Sequence, residues 1–162
     1  MLRSGRMPGL NKWTPSGRHG SAGPETIAAG RKTMSMPELF KQYLEHLFAG
    51  KRSEARALIL SAQDRGVAAS KLLKMIIWPA MEQVESLYRR NHINLIMEHM
   101  AMRINRLVAD QLQGMLAREP KTGQRMVVVC GDGEGEELGA QMTADIFEAM
   151  GWSVWFLGSG VP

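Results

Sequence analysis

A chain of 162 residues, 44% apolar and 22% charged, has material for one ordinary domain or two small ones. Its single cysteine, Cys130, excludes a disulfide within the chain and a multi-cysteine metal site, and no apolar run approaches the roughly 18 residues of a membrane span. The formal charge of +4 is unevenly divided: Arg3, Arg6, Lys12, Arg18, Arg31 and Lys32 face only Glu25 in the first 35 residues, and the remainder is close to neutral.

Residues 1–35 are rich in Gly, Ser and Pro and lack hydrophobic periodicity, so a disordered basic tail is expected there. Any contact with nucleic acid through this tail is expected to be weak. With no apolar signal core, the expectation is a cytoplasmic protein without membrane association. Thirteen methionines against four tryptophans and two tyrosines describe a methionine-rich interior. Methionine fills irregular gaps and also suits apolar ligand surfaces.

The next stretch reads as helical. In Met36–Ala49, Leu39, Phe40, Tyr43, Leu44 and Leu47 fall at i, i+4 and i+3 spacings, and Gly50 follows where a helix should stop. Ser53 opens a second helix with Glu54 in its first turn and Gly66 at its end. A third is expected from Ser70 to about Arg90, with a kink at Pro79. A fourth is expected from about Ile93 to Leu116. Four helices with short loops predict a small bundle over 36–118.

Composition changes after Arg118. Met126–Cys130 reads as a buried strand, Leu138–Met150 as a helix and Trp152–Leu157 as a second strand, one βαβ unit within 119–162. The predicted fold class is α/β: an N-terminal four-helix bundle cap, then the first βαβ unit of a flavodoxin-like or Rossmann-like parallel sheet. Two parallel strands are little on their own, because parallel sheets are normally covered on both faces. The chain is therefore expected to be C-terminally truncated or to depend on a partner protein or a homo-oligomer.

Residues 127–139, Val-Val-Val-Cys-Gly-Asp-Gly-Glu-Gly-Glu-Glu-Leu-Gly, run from a strand through a glycine-rich loop into a helix. Ligands of open α/β sheets bind at such strand ends. The spacing Gly133-x-Gly135-x-x-x-Gly139 is a loose form of the dinucleotide fingerprint, in which a pyrophosphate sits on the helix N-terminus. Asp132, Glu134, Glu136 and Glu137 would repel a phosphate, each close like-charge contact costing on the order of 1 kcal/mol. A nucleotide-binding βαβ fragment is the weaker reading.

The bundle and the loop together, over about 36–162, resemble the cobalamin-binding module of methionine synthase, corrinoid methyl-transfer proteins and cobalamin-dependent light-sensing regulators. The resemblance rests on Ile77-Trp78-Pro79-Ala80-Met81-Glu82-Gln83-Val84, then Tyr88, then Glu98-His99. It implies that cobalamin is held between the helical cap and the Rossmann-like part. Tyr88, Glu98 and His99 would then approach the upper face of the corrin ring, with Leu95 on the same helical face as Glu98, His99 and Met102. In the first loop the family carries D-x-H-x-x-G or E-x-H-x-x-G. Aligned on Gly139, this chain reads Glu134-Gly135-Glu136-Glu137-Leu138-Gly139, with Glu136 in the histidine position, so the usual loop histidine is missing. Imidazole is a common metal ligand, whereas a carboxylate prefers harder ions. Glu134, Glu136, Leu138 and Gly139 are the candidate contacts on this side, and no metal ligand is assigned. Glu85 stands where many relatives have glycine.

Such modules carry a reactive cofactor on which other domains act. The resemblance thus implies a cofactor carrier, as the corrinoid subunit of a methyl-transfer system, or a sensor, and no catalytic residue is assigned to this chain. A regulatory interaction domain that has lost the cofactor is the alternative. His46 and His92 receive no role, and Cys130 reads as a small buried hydrophobe.

Overall fold

The computed structural model describes residues 34–160 without the side chain of Glu134. The tail expected over 1–35 lies outside the described residues except for Met34 and Ser35. Ser35 caps helix α1, Met36–Phe48. The Ser35 N–H donates to the Glu38 carboxylate at 3.0 Å, and the Glu38 N–H donates to the Ser35 hydroxyl at 3.4 Å, a reciprocal capping box. The Ser35 N–H and, at 2.9 Å, the Ser35 hydroxyl both donate to the Glu38 carboxylate and hold its pKa below the usual range. Leu39, Tyr43 and Leu47 form the buried stripe, as their spacing predicts.

Helix α2, Arg52–Asp64, buries Ala55, Ile59 and Ala62. Lys51 occupies its cap position without a side-chain bond, so Ser53 is inside the helix and does not cap it. The third expected helix has three hydrogen-bonding regimes: α3 (Ala69–Leu72), a π-helical turn (Leu73–Ile77) and α4 (Trp78–Arg89). Pro79 supplies the reason. Its ring removes an N–H and crowds the carbonyl four residues back, and the turn before it widens so that the Trp78 N–H reaches the Leu73 carbonyl. Where the sequence predicts a kink, the structure has a π turn ending two residues before the proline.

Helix α5, Leu95–Gln113, is shorter than the expected Ile93–Leu116. Asn94 starts it, its side-chain oxygen accepting from the Met97 N–H at 2.9 Å, and Gly114 ends it. Among the described residues the bundle buries mainly apolar side chains, with Glu98 and one internal network as polar exceptions. Tyr43, fully buried, donates its hydroxyl to Asn105 Oδ1 at 2.9 Å, and Asn105 Nδ2 donates to the Ile77 carbonyl at 3.1 Å. This ties α1 and α5 to the end of the π turn.

Strands β1 (Arg125–Val129) and β2 (Ser153–Gly158) pair in parallel on either side of helix α6 (Glu134–Ala149). Val127 faces Trp155 and Val128 faces Phe156, with an irregularity that brings Val129 opposite Gly158. The helix begins four residues earlier than the sequence suggests, because Gly133 takes the extended cap conformation and Glu136 folds back toward its N–H at 3.5 Å. The strand is also less buried than expected. Val128 is covered, but Val127 and Val129 are 60% and 56% exposed, as are much of Trp155 and Leu157. Among the described residues α6 packs on the sheet and also against α4 and α5.

The seam between α5 and α6 is polar. Arg106 donates to Gln141 Oε1 at 2.9 Å and lies 3.6 Å from Glu137, while Gln141 Nε2 donates to Asp110 at 2.6 Å. Asp145 sits farther along, and burial followed by the nearby charges of Asp110 and Glu148 pushes its pKa up to about 6 against a hydrogen bond from Gln113. A carboxyl whose folded pKa is raised is least favourable to the fold when ionised. Its contribution therefore improves as pH falls through about 6 toward the ordinary value of 3.8. Asp145→Asn is expected to raise stability at pH 7 by about 1 kcal/mol, after allowing for solvent screening of a half-buried group. The gain should vanish near pH 4, which thermal melts at the two pH values would check.

Candidate cofactor-binding site

Helix α4 presents Trp78, Met81, Glu82, Glu85 and Arg89 along one side, at the spacing of successive helical turns. This side faces the loop and first turns of α6, leaving an open cavity of about 510 Å³ whose far wall includes Cys130, Gly131, Gly135, Gly139 and Thr143. A second cavity of about 270 Å³ lies next to it, lined by Glu85, Tyr88, Arg89, Glu98, Gly133, Gly135 and Glu136. Both lie against the loop that follows the carboxyl end of β1, the kind of position where open α/β sheets take ligands. The Gly160 N–H donates to Asp132 Oδ1 at 3.1 Å, which joins the first loop to the end of β2.

The glycines bring backbone close to the cap. A Cβ at Gly139 would meet Met81 Cε at 3.4 Å and Trp78 at 3.7 Å. At Gly131 a Cβ would run into the Glu136 carboxylate, and at Gly135 into that of Glu85. The cradle is thus present, and two carboxylates lie in it. Glu98 is almost buried, and its carboxylate is 3.5 Å from His99 Nε2 while the imidazole remains about half exposed. Burial, followed by Glu137, Glu136 and Asp132, raises the pKa of Cys130, making its thiol a weaker nucleophile at neutral pH. The cysteine is only partly buried, against its reading as a core residue.

The sequence-predicted residues separate in this geometry. Tyr88, Glu98 and Glu136 line the smaller cavity and Gly139 the larger. His99 joins them only through its pair with Glu98. Leu95 is 49% exposed, while Met102, grouped with it by helical spacing, is buried. Leu138 turns into the core at 1% exposure. Glu134 is the first residue of α6, and its side chain lies outside the described set. Glu85, Arg89 and Gly135 border both cavities and were not among the predicted contacts. The periodic stripe through Trp78, Met81, Glu85 and Arg89 is the signal that points to the first two.

The described residues thus place a helical cap against a glycine loop at the head of a Rossmann-like unit. Residues 39–113 match the family model of the B12 binding domain, and this match supports a cobalamin-binding module. The structure of the Methanosarcina barkeri monomethylamine corrinoid protein superposes with a TM-score of 0.67 at 17% identity, covering 79% of this chain and 60% of that one. At that identity the likeness speaks for the fold alone. The methanol:cobalamin methyltransferase complex MtaBC, also from Methanosarcina barkeri, matches at 21% identity over 89% of this chain and 55% of that one, with a TM-score of 0.48 that is too low to argue from. The chain thus spans less than two thirds of either structure. No curated protein matches it.

The residues present suit the holding of a corrinoid: glycines at the strand-end loop, and opposite them a helical side that places Trp78 and Met81 beside Glu82, Glu85 and Arg89. They do not supply an imidazole from that loop, since Glu136 stands there and turns back toward Gly133. Among the described residues no group of three or more His, Cys, Asp or Glu is arranged to hold a metal ion, and no helix is long and apolar enough to cross a membrane.

Proposed function

We propose that the chain holds its corrinoid in the groove between α4–α5 and the 130–139 loop, and acts as a carrier or sensor for a partner protein in the cytoplasm. The glycine cradle facing Trp78 and Met81 is the observation that carries this reading. The proposed division is a cap over 36–118 and a partial Rossmann-like part over 119–162. Tyr88, Glu98 and His99 approach the cofactor from the cap, and Gly139 and Glu136 from the loop. Leu138 supports the loop from the core, and Leu95 and Glu134 are the remaining proposed contacts. When bound, the cofactor supplies group or ligand exchange at cobalt; the side chains bind it, orient it and limit access of water. A module that only holds a cofactor needs a second domain or protein to act on it, and a methyltransferase fits that role.

Titration of the purified chain with cobalamin should change the visible spectrum saturably. A linear sum of free-cofactor and protein spectra, for every cobalamin form tried, would overturn the reading. Glu136→His should move the spectrum of the bound cofactor toward nitrogen ligation. An unchanged spectrum would place residue 136 away from the cobalt.

A further inference from the structure

The two cavities share Glu85, Arg89, Gly135 and Glu136, so they are lobes of one groove with a partition between them. The partition is the side chain of Glu85. It crosses from α4 to lie on the backbone of Gly135, so closely that a Cβ there would coincide with its carboxylate. Its Oε2 is 3.4 Å from Arg89 Nη2, one turn along the same helix, and Arg89 is 73% exposed. Glu85 is 29% exposed, and an ion pair with one partner in solvent is weak and easily rearranged. The lobes have volumes of about 270 and 510 Å³.

We infer that Glu85 gates the groove: lying on Gly135 and paired with Arg89 it covers the glycine backbone, and swinging away from both it joins the two lobes into one surface on which a corrinoid can seat. The gate rests on the cofactor reading above. It acts through shape, because the carboxylate occupies the approach to the glycine backbone whatever its charge. Gly135 is the matching half, being buried at the second position of α6 and having no side chain to hold Glu85 away. Binding then carries a conformational cost, since only the open arrangement takes the ligand.

The test uses the full chain and cobalamin itself. If the open arrangement is populated about a tenth of the time, Glu85→Gly tightens apparent affinity about tenfold, with faster uptake in stopped-flow spectra. Glu85→Gln keeps the length of the side chain and should stay within about twofold of the unmodified protein. Without cofactor, Gly135→Ala should lower the melting temperature when Glu85 is present and have little effect in the Glu85→Gly background, a coupling that a double-mutant cycle reads directly. Equal affinity and uptake rate for Glu85→Gly and the unmodified protein would overturn the gate and leave the cofactor reading intact. Equal melting shifts for Gly135→Ala in both backgrounds would overturn the contact on which it stands. Failure of every variant to take up cobalamin would overturn the cofactor reading, and the gate with it.

Discussion

Asn105→Ala is expected to lower the unfolding free energy by about 3 kcal/mol, with a fall in melting temperature of about 10 °C. The substitution removes two hydrogen bonds at once and leaves the Tyr43 hydroxyl buried without its acceptor. The larger part of the loss comes from that orphaned group, because burying an unpaired donor costs more than an average hydrogen bond contributes. Tyr43→Phe provides the comparison: it removes the hydroxyl and leaves Asn105 bonded to Ile77, so it should cost about 1 kcal/mol. Denaturant melts of the two variants check the ordering. Equal losses would show that neither the Asn105–Ile77 bond nor the orphaned Tyr43 hydroxyl adds to the cost.

Gly151→Ala is expected to be comparably severe, at about 3 kcal/mol or more. Gly151 has φ +87°, which a residue with a Cβ adopts only under strain. The added methyl would also land on the carbonyl of Pro120, a backbone atom with no freedom to move aside. Around it the 119–124 loop is fastened to the end of α6: the Glu119 N–H donates to Ala149 at 2.7 Å and the Thr122 N–H to Gly151 at 3.0 Å. These bonds set where β1 begins, with the Ser153 N–H donating to Gln124 at 2.9 Å as the first rung beside the strands. The variant should lose the near-ultraviolet dichroism of Trp152, whose ring packs edge-on against Phe147 at 5.0 Å. Retention of that signal together with an unchanged melt would contradict the assignment of this loop as a fixed anchor.

The sequence showed some of these features and concealed others, for identifiable reasons. Helix α1 was readable because Leu39, Tyr43 and Leu47 repeat at helical spacing and are the residues buried. The position of the irregularity at Pro79 was readable but its form was not, since proline requires a departure from α geometry and packing decides which one. The start of α6 was missed because its carboxylates read as a ligand loop. Glu136 and Glu137 instead sit in the first turn of a helix, where negative side chains are favoured by the exposed N–H groups. In the site, Tyr88, Glu98, Glu136 and Gly139 were reached through resemblance to a family. Glu85 was noticed only as a departure from it, because its contact with Gly135 spans 50 positions of chain and depends on how α4 meets α6. The exposure of Val127 and Val129 was equally hidden, since an apolar run does not reveal whether one face or both will be covered.

The one-sided cover of the sheet has a consequence for how the molecule comes apart. Its helical layer is held by many fully buried side chains and an internal polar network, whereas β1 and β2 are protected chiefly by α6. Opening free energy is therefore graded through the chain, lowest at the strands and highest around Ile76, Ile77 and Leu112. Local opening of the strands can precede global unfolding, and backbone amides there exchange on their own schedule. A ligand seated across the groove touches both levels of that hierarchy. Its occupancy would raise the weaker level toward the stronger, making holding of the cofactor and integrity of the sheet a single equilibrium.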